Sequence, residues 1–374
     1  MESEDARPVG VLAVVHGIVH ATFLSIPVLL PLWGAEFNLG PLEQATEAAV
    51  AYAAFGLGSL PFGARADRVG AAGQLRTSAA RIVVALLGIA ASPNRWLLAL
   101  ALAALGIAAS AYHPSALALL SRTVRRTGWA MGWHGMGGSV GIAAGPALAV
   151  AILATGASWR FVPATLALVA VAGLGLLVLG RVRDASPAKT VPRETGTLWT
   201  HGFLAVVGVY AFAGVAYWGS LSFLPRFFGS EITGGSLYAA GLAAGAIGQV
   251  AFGYAAERGR PEPVLIAASA AAGGVLASLP WISPTAWLGA VPAFGLLLFG
   301  LEPLQNVLVT SRVPPAWRGR AFGVTFLAVF GVGSIGALVA GAFLGAGLSF
   351  GALFAVLMAC LVASGVLGYA SGRR

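Results

Sequence analysis

Twelve apolar runs, each about as long as a helix needs to cross a bilayer, follow one another through this chain with very few charges inside them. They span residues 9–33, 45–63, 76–92, 96–120, 129–155, 160–180, 200–227, 236–256, 263–281, 285–311, 321–346 and 349–370. A helix rising through ~30 Å of hydrocarbon takes ~20 residues. The apolar/polar alternation of an outer-membrane barrel is absent. Only 9% of the chain is charged and 58% is hydrophobic, against roughly 25% charged in soluble domains. A soluble chain of 374 residues would not cover its exterior with so little polar surface. The first run follows the acidic leader "MESEDAR" and exceeds a signal-peptide core, so it is read as a retained helix.

The net charge of +9 raises the question of a nucleic-acid partner, and its placement answers it. With both termini and the even-numbered connections on one side, 18 of the 22 Lys/Arg residues fall on or beside that side. Arg81, Arg95, Arg160 and Arg226 are the remaining four. Basic loops stay cytoplasmic, so both termini are expected inside, in a cell inner membrane, where the cations meet anionic lipid. No nucleic-acid partner is expected. The single cysteine, Cys360, excludes a disulfide framework and a thiolate metal site.

The polar, proline-bearing stretch "GRVRDASPAKTVPRETGT" stands mid-chain and divides it into 1–180, a cytoplasmic linker 181–199, and 200–374. The flanking segments repeat at a spacing of about 190. "AYAAFGLGSLPFGARADR" (51–68) matches "GLAAGAIGQVAFGYAAER" (241–258) at seven of 18 positions. Gly63, Asp67 and Arg68 there fall on Gly253, Glu257 and Arg258. "GIAASAYHPSALALLSR" (106–122) lies over "GLLLFGLEPLQNVLVTSR" (295–312), which sets His113-Pro114 on Glu302-Pro303, each pair seven residues after a glycine. Duplicated halves with sites near the midplane are a recurrent transporter design. The expected fold is an all-α membrane protein of twelve transmembrane helices in two pseudo-symmetric six-helix halves.

On these residues the chain resembles the major facilitator superfamily over essentially its whole length. "GARADRVG" (63–70) is similar to the signature between that family's second and third helices, without the basic residues that usually follow. "GIAAGP", Gly141 to Pro146, resembles the motif of its exporters, without the glycines expected after the proline. The arginine that many members carry in helix four is absent from "LALALAALG". "SAYHPSA", "TGWAMGWHGMGGSVGIAAGP" and a histidine-bearing first helix look most like the fosmidomycin-resistance branch of drug exporters. The resemblance implies that the first and fourth helices of each half line a central cavity. It also implies that the Asp67-Arg68 motif braces the inward-closed state, with Glu257-Arg258 its second copy.

Glu302 is the first candidate for chemistry, because a carboxylate at membrane depth usually faces the bundle interior or water. Pro303 and Pro114 each remove an amide and loosen the helix beside the ionisable residue. Glu302 and His113 are the expected proton carriers. Gln305 and Asn306 follow Glu302 within a turn and can supply amide contacts. His16 and His20, spaced i, i+4, share one helix face, and with His113 and His134 they place four of five histidines in the first half. An imidazole with an ordinary pKa near 6.5 suits proton exchange or substrate contact. The HxxxH spacing also fits a transition metal. Trp133 and Tyr210, with Tyr217 and Trp218, are candidate walls for an aromatic or amphipathic substrate. Gly137, Gly141 and Gly145, followed by Pro146, offer a smooth face to a neighbouring helix.

The function expected is secondary active transport by a monomer, with protons driving export of a small organic molecule by alternating access. Import of an organic anion, transport of a metal ion or chelate, and a membrane-embedded enzyme are the alternatives. No cofactor is expected. No GxxxxGK[ST] loop is present to bind a nucleotide.

Overall fold

The computed structural model describes residues 3–124, 127–180, 182–183, 198–314 and 317–372. The linker 181–199 lies almost entirely outside the described residues. Helix is the only regular structure among the described residues: α1 (Ser3–Phe37), α2 (Pro41–Val69), α3 (Ala71–Ala91), α4 (Arg95–Ser110), α5 (Tyr112–Thr123), α6 (Thr127–Leu153), α7 (Phe161–Leu179), α8 (His201–Phe227), α9 (Glu231–Arg258), α10 (Pro261–Ser278), α11 (Pro284–Arg312), α12 (Arg318–Phe326), α13 (Ile335–Gly345) and α14 (Phe350–Ser371). Hydrocarbon offers no water to a peptide group, so each spanning segment must satisfy its own amides, and helices do. Eleven stretches are long and apolar enough to cross a membrane among the described residues. The 29-residue α2 is the remaining one of the twelve expected runs and carries charged residues toward both ends.

Helix ends that begin at a polar boundary are capped by side chains. Asn94, Thr200, Ser230, Ser283 and Ser349 accept from the amides of Leu97, Phe203, Thr233, Ala286 and Ala352. Each bond satisfies one amide that the first turn leaves without a partner.

The two proline positions behave differently. The fourth run divides at Ala111 into α4 and α5, because Pro114 has no amide to offer the Ser110 carbonyl one turn earlier. In the second copy the expected loosening does not interrupt the helix: α11 runs through both Pro292 and Pro303. Pro303 packs toward α9, with its Cβ 3.7 Å from the place a Cβ on Gly253 would occupy, an ordinary contact. The eleventh run instead carries its irregularity in one wide π turn, Leu327–Val332, between α12 and α13.

By their contacts the residues form two compact units, Met1–Ile26 with Val50–Arg193, and Pro27–Ala49 with Glu194–Arg374. In the first, α3 packs against α4, α5 and α7. Gln74 of α3 donates to the Phe62 carbonyl and to Ser115 Oγ, at 2.8 and 2.9 Å, and Ser78 donates to the Ala108 carbonyl at 2.6 Å. In the second unit, α9 lies against α11, α10 against α11 and α14, and α8 against α13 and α14.

Both units use the same two glycine contacts. Gly106 of α4 faces the Ala51 carbonyl of α2, and its sequence counterpart Gly295 of α11 faces the Gly241 carbonyl of α9. Along α6, Gly137, Gly141 and Gly145 meet Ala13, Gly17 and Ala21 of α1, and a methyl on Gly17 would lie 2.8 Å from the Gly137 oxygen. In the second unit Gly214 of α8 sits against Val329 and Gly333, and Gly336 against Val215. Small residues at these positions let backbones approach where dispersion, rather than the hydrophobic effect, holds helices together.

Candidate functional site

In the first unit, four histidines from three helices meet. His16 and His20 project from one face of α1, as the i, i+4 spacing requires. His113 comes from the first turn of α5, just past the break, and His134 from α6. The close α1–α6 approach at Gly137 and Gly141 is what brings His134 over α1. The His16 and His134 rings stack at 4.0 Å between centroids and 10° between planes. His113 meets His16 edge-on at 4.9 Å and His20 at 5.4 Å. His16, His113 and His134 are buried.

The hydrogen bonds fix the orientation of the rings. His16 Nδ1 lies 2.7 Å from the His134 carbonyl oxygen. A carbonyl only accepts, so a neutral His16 carries its proton on Nδ1 and leaves Nε2 with a lone pair. That Nε2 faces His20 Nε2 at 3.0 Å. Tyr112 donates to the Leu12 carbonyl of α1 and lies 3.2 Å from His134 Nε2. Phe55 of α2 closes one side, its ring 5.7 Å from that of His113. Gly138 lies beneath His16, and a Cβ there would stand 2.7 Å from Nδ1.

Trp133, expected beside His134, does not join this group. It is exposed while His134 is 3% exposed, because adjacent helical residues point about 100° apart. Tyr112 was not singled out from the sequence, although it stands next to His113. Its signal was a phenol inside an apolar run, which needs a partner when buried.

In the second unit a polar strip runs between α8, α9 and α11. Gln249 Nε2 of α9 donates to Glu302 Oε2 at 2.8 Å, and Glu302 is exposed. Tyr210 of α8 is buried and donates to Asn306 Oδ1 at 2.7 Å, one turn below Glu302. Gln305 is buried on another side of α11, and its Nε2 lacks a hydrogen-bond partner among the described residues. Tyr217 packs on Trp218 and Phe299 at 4.8 and 5.3 Å. Trp218 donates to the Val329 carbonyl at 3.0 Å, which places its polar edge in the wall rather than toward Glu302. Gln249 is the residue that sequence reading passed over. It is a lone amide in an alanine- and glycine-rich helix, four residues before the repeated Gly253.

The candidate gate residues divide. The side chains of Asp67, Arg68 and Glu257 lie outside the described residues. Arg258 is exposed, with its guanidinium 3.2 Å from the Tyr254 ring centre. A different pair ties helix ends in the second unit: Arg312 of α11 meets Glu262 of α10 at 2.8 Å and donates to the Ser371 carbonyl of α14 at 3.1 Å.

The same helical arrangement occurs in solved transporters. A bacterial homologue of the human lysosomal transporter Spinster, inward-facing and occupied, superposes with a TM-score of 0.71 at 17% identity. That comparison covers 99% of this chain and 96% of the other. A mutant of the peptide transporter POT in complex with sulfate gives a TM-score of 0.78 at 12% identity, over 97% and 93% of the two chains. Identities this low carry the fold alone. No curated protein matches the chain in sequence. The sequence profile of the Major Facilitator Superfamily matches residues 12–338, a stretch that takes in the duplicated glycine contacts, the histidine cluster and the Glu302 strip. The chain therefore belongs to the Major Facilitator Superfamily and is a multi-pass membrane transporter.

Proposed function

We propose that this transporter exports a small organic molecule in exchange for protons, by alternating access of the six-helix halves 1–180 and 200–374. One observation carries the proton-coupling part. Glu302 stands ten residues from the end of α11 at Arg312, about 15 Å along the helix axis, and so close to the bilayer midplane. It is exposed there, and its hydrogen-bond partner among the described residues is Gln249 rather than a cation. A carboxylate at that depth is costly and normally faces the interior or water. An amide partner suits a residue that changes protonation state. Gln249 donates an N–H to the carboxylate, and after rotation its carbonyl accepts from the carboxylic acid. An arginine partner would hold the carboxylate charged.

Export and the fosmidomycin-resistance branch rest on "GIAAGP", "SAYHPSA" and the histidine-bearing first helix. The placement of basic residues supports cytoplasmic termini in an inner membrane. In this reading His113 is a second proton carrier. Tyr210, Gln305, Asn306, Trp133, His16, His20 and His134 contact substrate. The charged pairs at 67–68 and 257–258 hold the cytoplasmic gate in a monomer surrounded by lipid.

The test is flux in everted vesicles, with fosmidomycin, a small polar phosphonate, and separately small amphipathic molecules as substrates. One proton moving through 100 mV supplies about 2.3 kcal/mol and sustains roughly a 40-fold gradient. Glu302→Gln should abolish accumulation driven by a pH gradient while leaving substrate-for-substrate exchange. Transport that ignores both an imposed pH gradient and this substitution would sink the proposal.

A further inference from the structure

We infer that the histidine cluster of the first unit is a mononuclear transition-metal site. Its ligands are His16, His20 and His113, framed by His134, Tyr112 and Gly138. One ligand nitrogen from each of the three lies within 4.8 Å of the others. His16 Nε2 and His20 Nε2 are already 3.0 Å apart. Tetrahedral coordination at 2.0–2.1 Å from metal to nitrogen places ligand atoms about 3.3 Å apart. An ion between them therefore needs an opening of only a few tenths of an ångström on that edge.

The surroundings of His16 are those of a ligand rather than of a packing residue. Its Nδ1–H is held by the His134 carbonyl, the outer bond that fixes tautomer and ring direction in metal-bound imidazoles. The stacked His134 ring on one side and Gly138 beneath leave His16 one orientation, with its Nε2 lone pair toward His20 and His113. A metal ion takes the place of the proton between the two Nε2 atoms, and His20 binds it in its other tautomer, with its single proton on Nδ1. His134 is not a ligand, because it lies parallel to His16 and its Nε2 faces Tyr112.

The donor set selects the ion class. Three neutral imidazoles suit late first-row ions such as Zn²⁺, Co²⁺, Ni²⁺ or Cu²⁺, whereas Mg²⁺ and Ca²⁺ require oxygen donors. Three protein ligands leave the fourth position to water or an exogenous anion. This inference rests on the geometry of the first unit alone and is independent of the Glu302 part of the proton-coupling reading; a metal-bound His113 does not carry protons.

The probe is Zn²⁺, with Co²⁺ as its spectroscopic substitute. The full chain is purified in detergent through a tag without histidine, stripped with chelator and titrated. One equivalent of Zn²⁺ is expected, with Co²⁺ giving a tetrahedral d–d spectrum. His16→Gln, His20→Gln and His113→Gln should each weaken binding by on the order of 100-fold or more, beyond the loss typical of an outer-shell partner. Gly138→Ala should weaken it by pushing the His16 ring aside. His201→Ala, at the exposed start of α8, should leave the stoichiometry at one. Variants count only where they elute as a single species with unchanged helical signal. The half-buried His20 is the position at which that condition is easiest to meet. No bound Zn²⁺ in the parent protein, or binding unchanged by the His20 and His113 substitutions, would overturn the site. Neither result bears on whether Glu302 carries a proton.

Discussion

Glu262→Gln is expected to lower the unfolding free energy by about 3–5 kcal/mol, the range for removing one partner of a buried ion pair. Glu262 begins α10, Arg312 ends α11, and Ser371 ends α14, so a single guanidinium ties three helix ends. The side chains are 8% and 17% exposed. Glu262→Gln leaves the part-buried Arg312 guanidinium without its carboxylate, with the Ser371 carbonyl and Ser311 hydroxyl as its remaining acceptors. The signs also suit the helix termini, with the acid in the first turn of α10 and the base in the last turn of α11. Arg260 supplies the control on the same carboxylate. It stands 3.9 Å from Glu262 but is 73% exposed, so Arg260→Gln should cost no more than about 1 kcal/mol. Thermal unfolding of the detergent-purified protein reads both. Replacing both partners, Glu262→Gln with Arg312→Met, should recover most of the single-variant loss. Equal, small effects of Glu262→Gln and Arg260→Gln would show that the pair behaves as a surface contact.

Gly141→Ala should separate α1 from α6. The added methyl would fall on the Gly17 carbonyl, well inside contact distance, and its neighbours there are backbone atoms of α1. Ordinary overpacking costs about 1–3 kcal/mol because side chains rotate away. A backbone carbonyl in a helix has no such freedom, so the loss should exceed that range. Gly132 and Gly135 lie on the same helix with nothing within 4 Å of an added Cβ. Alanine at either should be neutral or stabilising by up to about 1 kcal/mol through helix propensity. The same substitution on one helix therefore has opposite expected signs, read in one unfolding series. Gly336→Ala, against Val215 of α8, should reproduce the Gly141 effect in the second unit.

The elements were legible because the bilayer imposes a local rule. A span must be about 20 apolar residues long and must be helical, and both requirements can be read from neighbouring residues. The glycine faces were legible too, since four-residue spacing puts Gly137, Gly141 and Gly145 on one side of a helix whatever its partner. The repeat was visible as His113-Pro114 over Glu302-Pro303, and Gly106 and Gly295 make the equivalent contact in their separate units. The effect of the prolines was not legible. Pro114 divides its run while Pro303 does not, although both copies carry the same ionisable-residue–proline pair.

Among the charged pairs, the repeat drew attention to Glu257-Arg258. Among the described residues a part-buried bond joins Glu262 to Arg312, 50 residues apart. Likewise the helical offset separates His134 from Trp133, but which of the two turns inward was decided by the packing of α6 on α1, where one is buried and the other exposed.

By itself the sequence determined that this chain is a membrane protein of duplicated helical halves, with four histidines in one half and a carboxylate at depth in the other. Those properties depend on length, hydropathy and spacing, which are local. Only the tertiary structure decided that residues 16, 20, 113 and 134 converge, and that Glu302 bonds Gln249. Such meetings depend on how closely helices approach and how each is rotated about its axis. Backbone contacts such as Gly17 against Gly141 set that, and no periodicity along one chain segment encodes it.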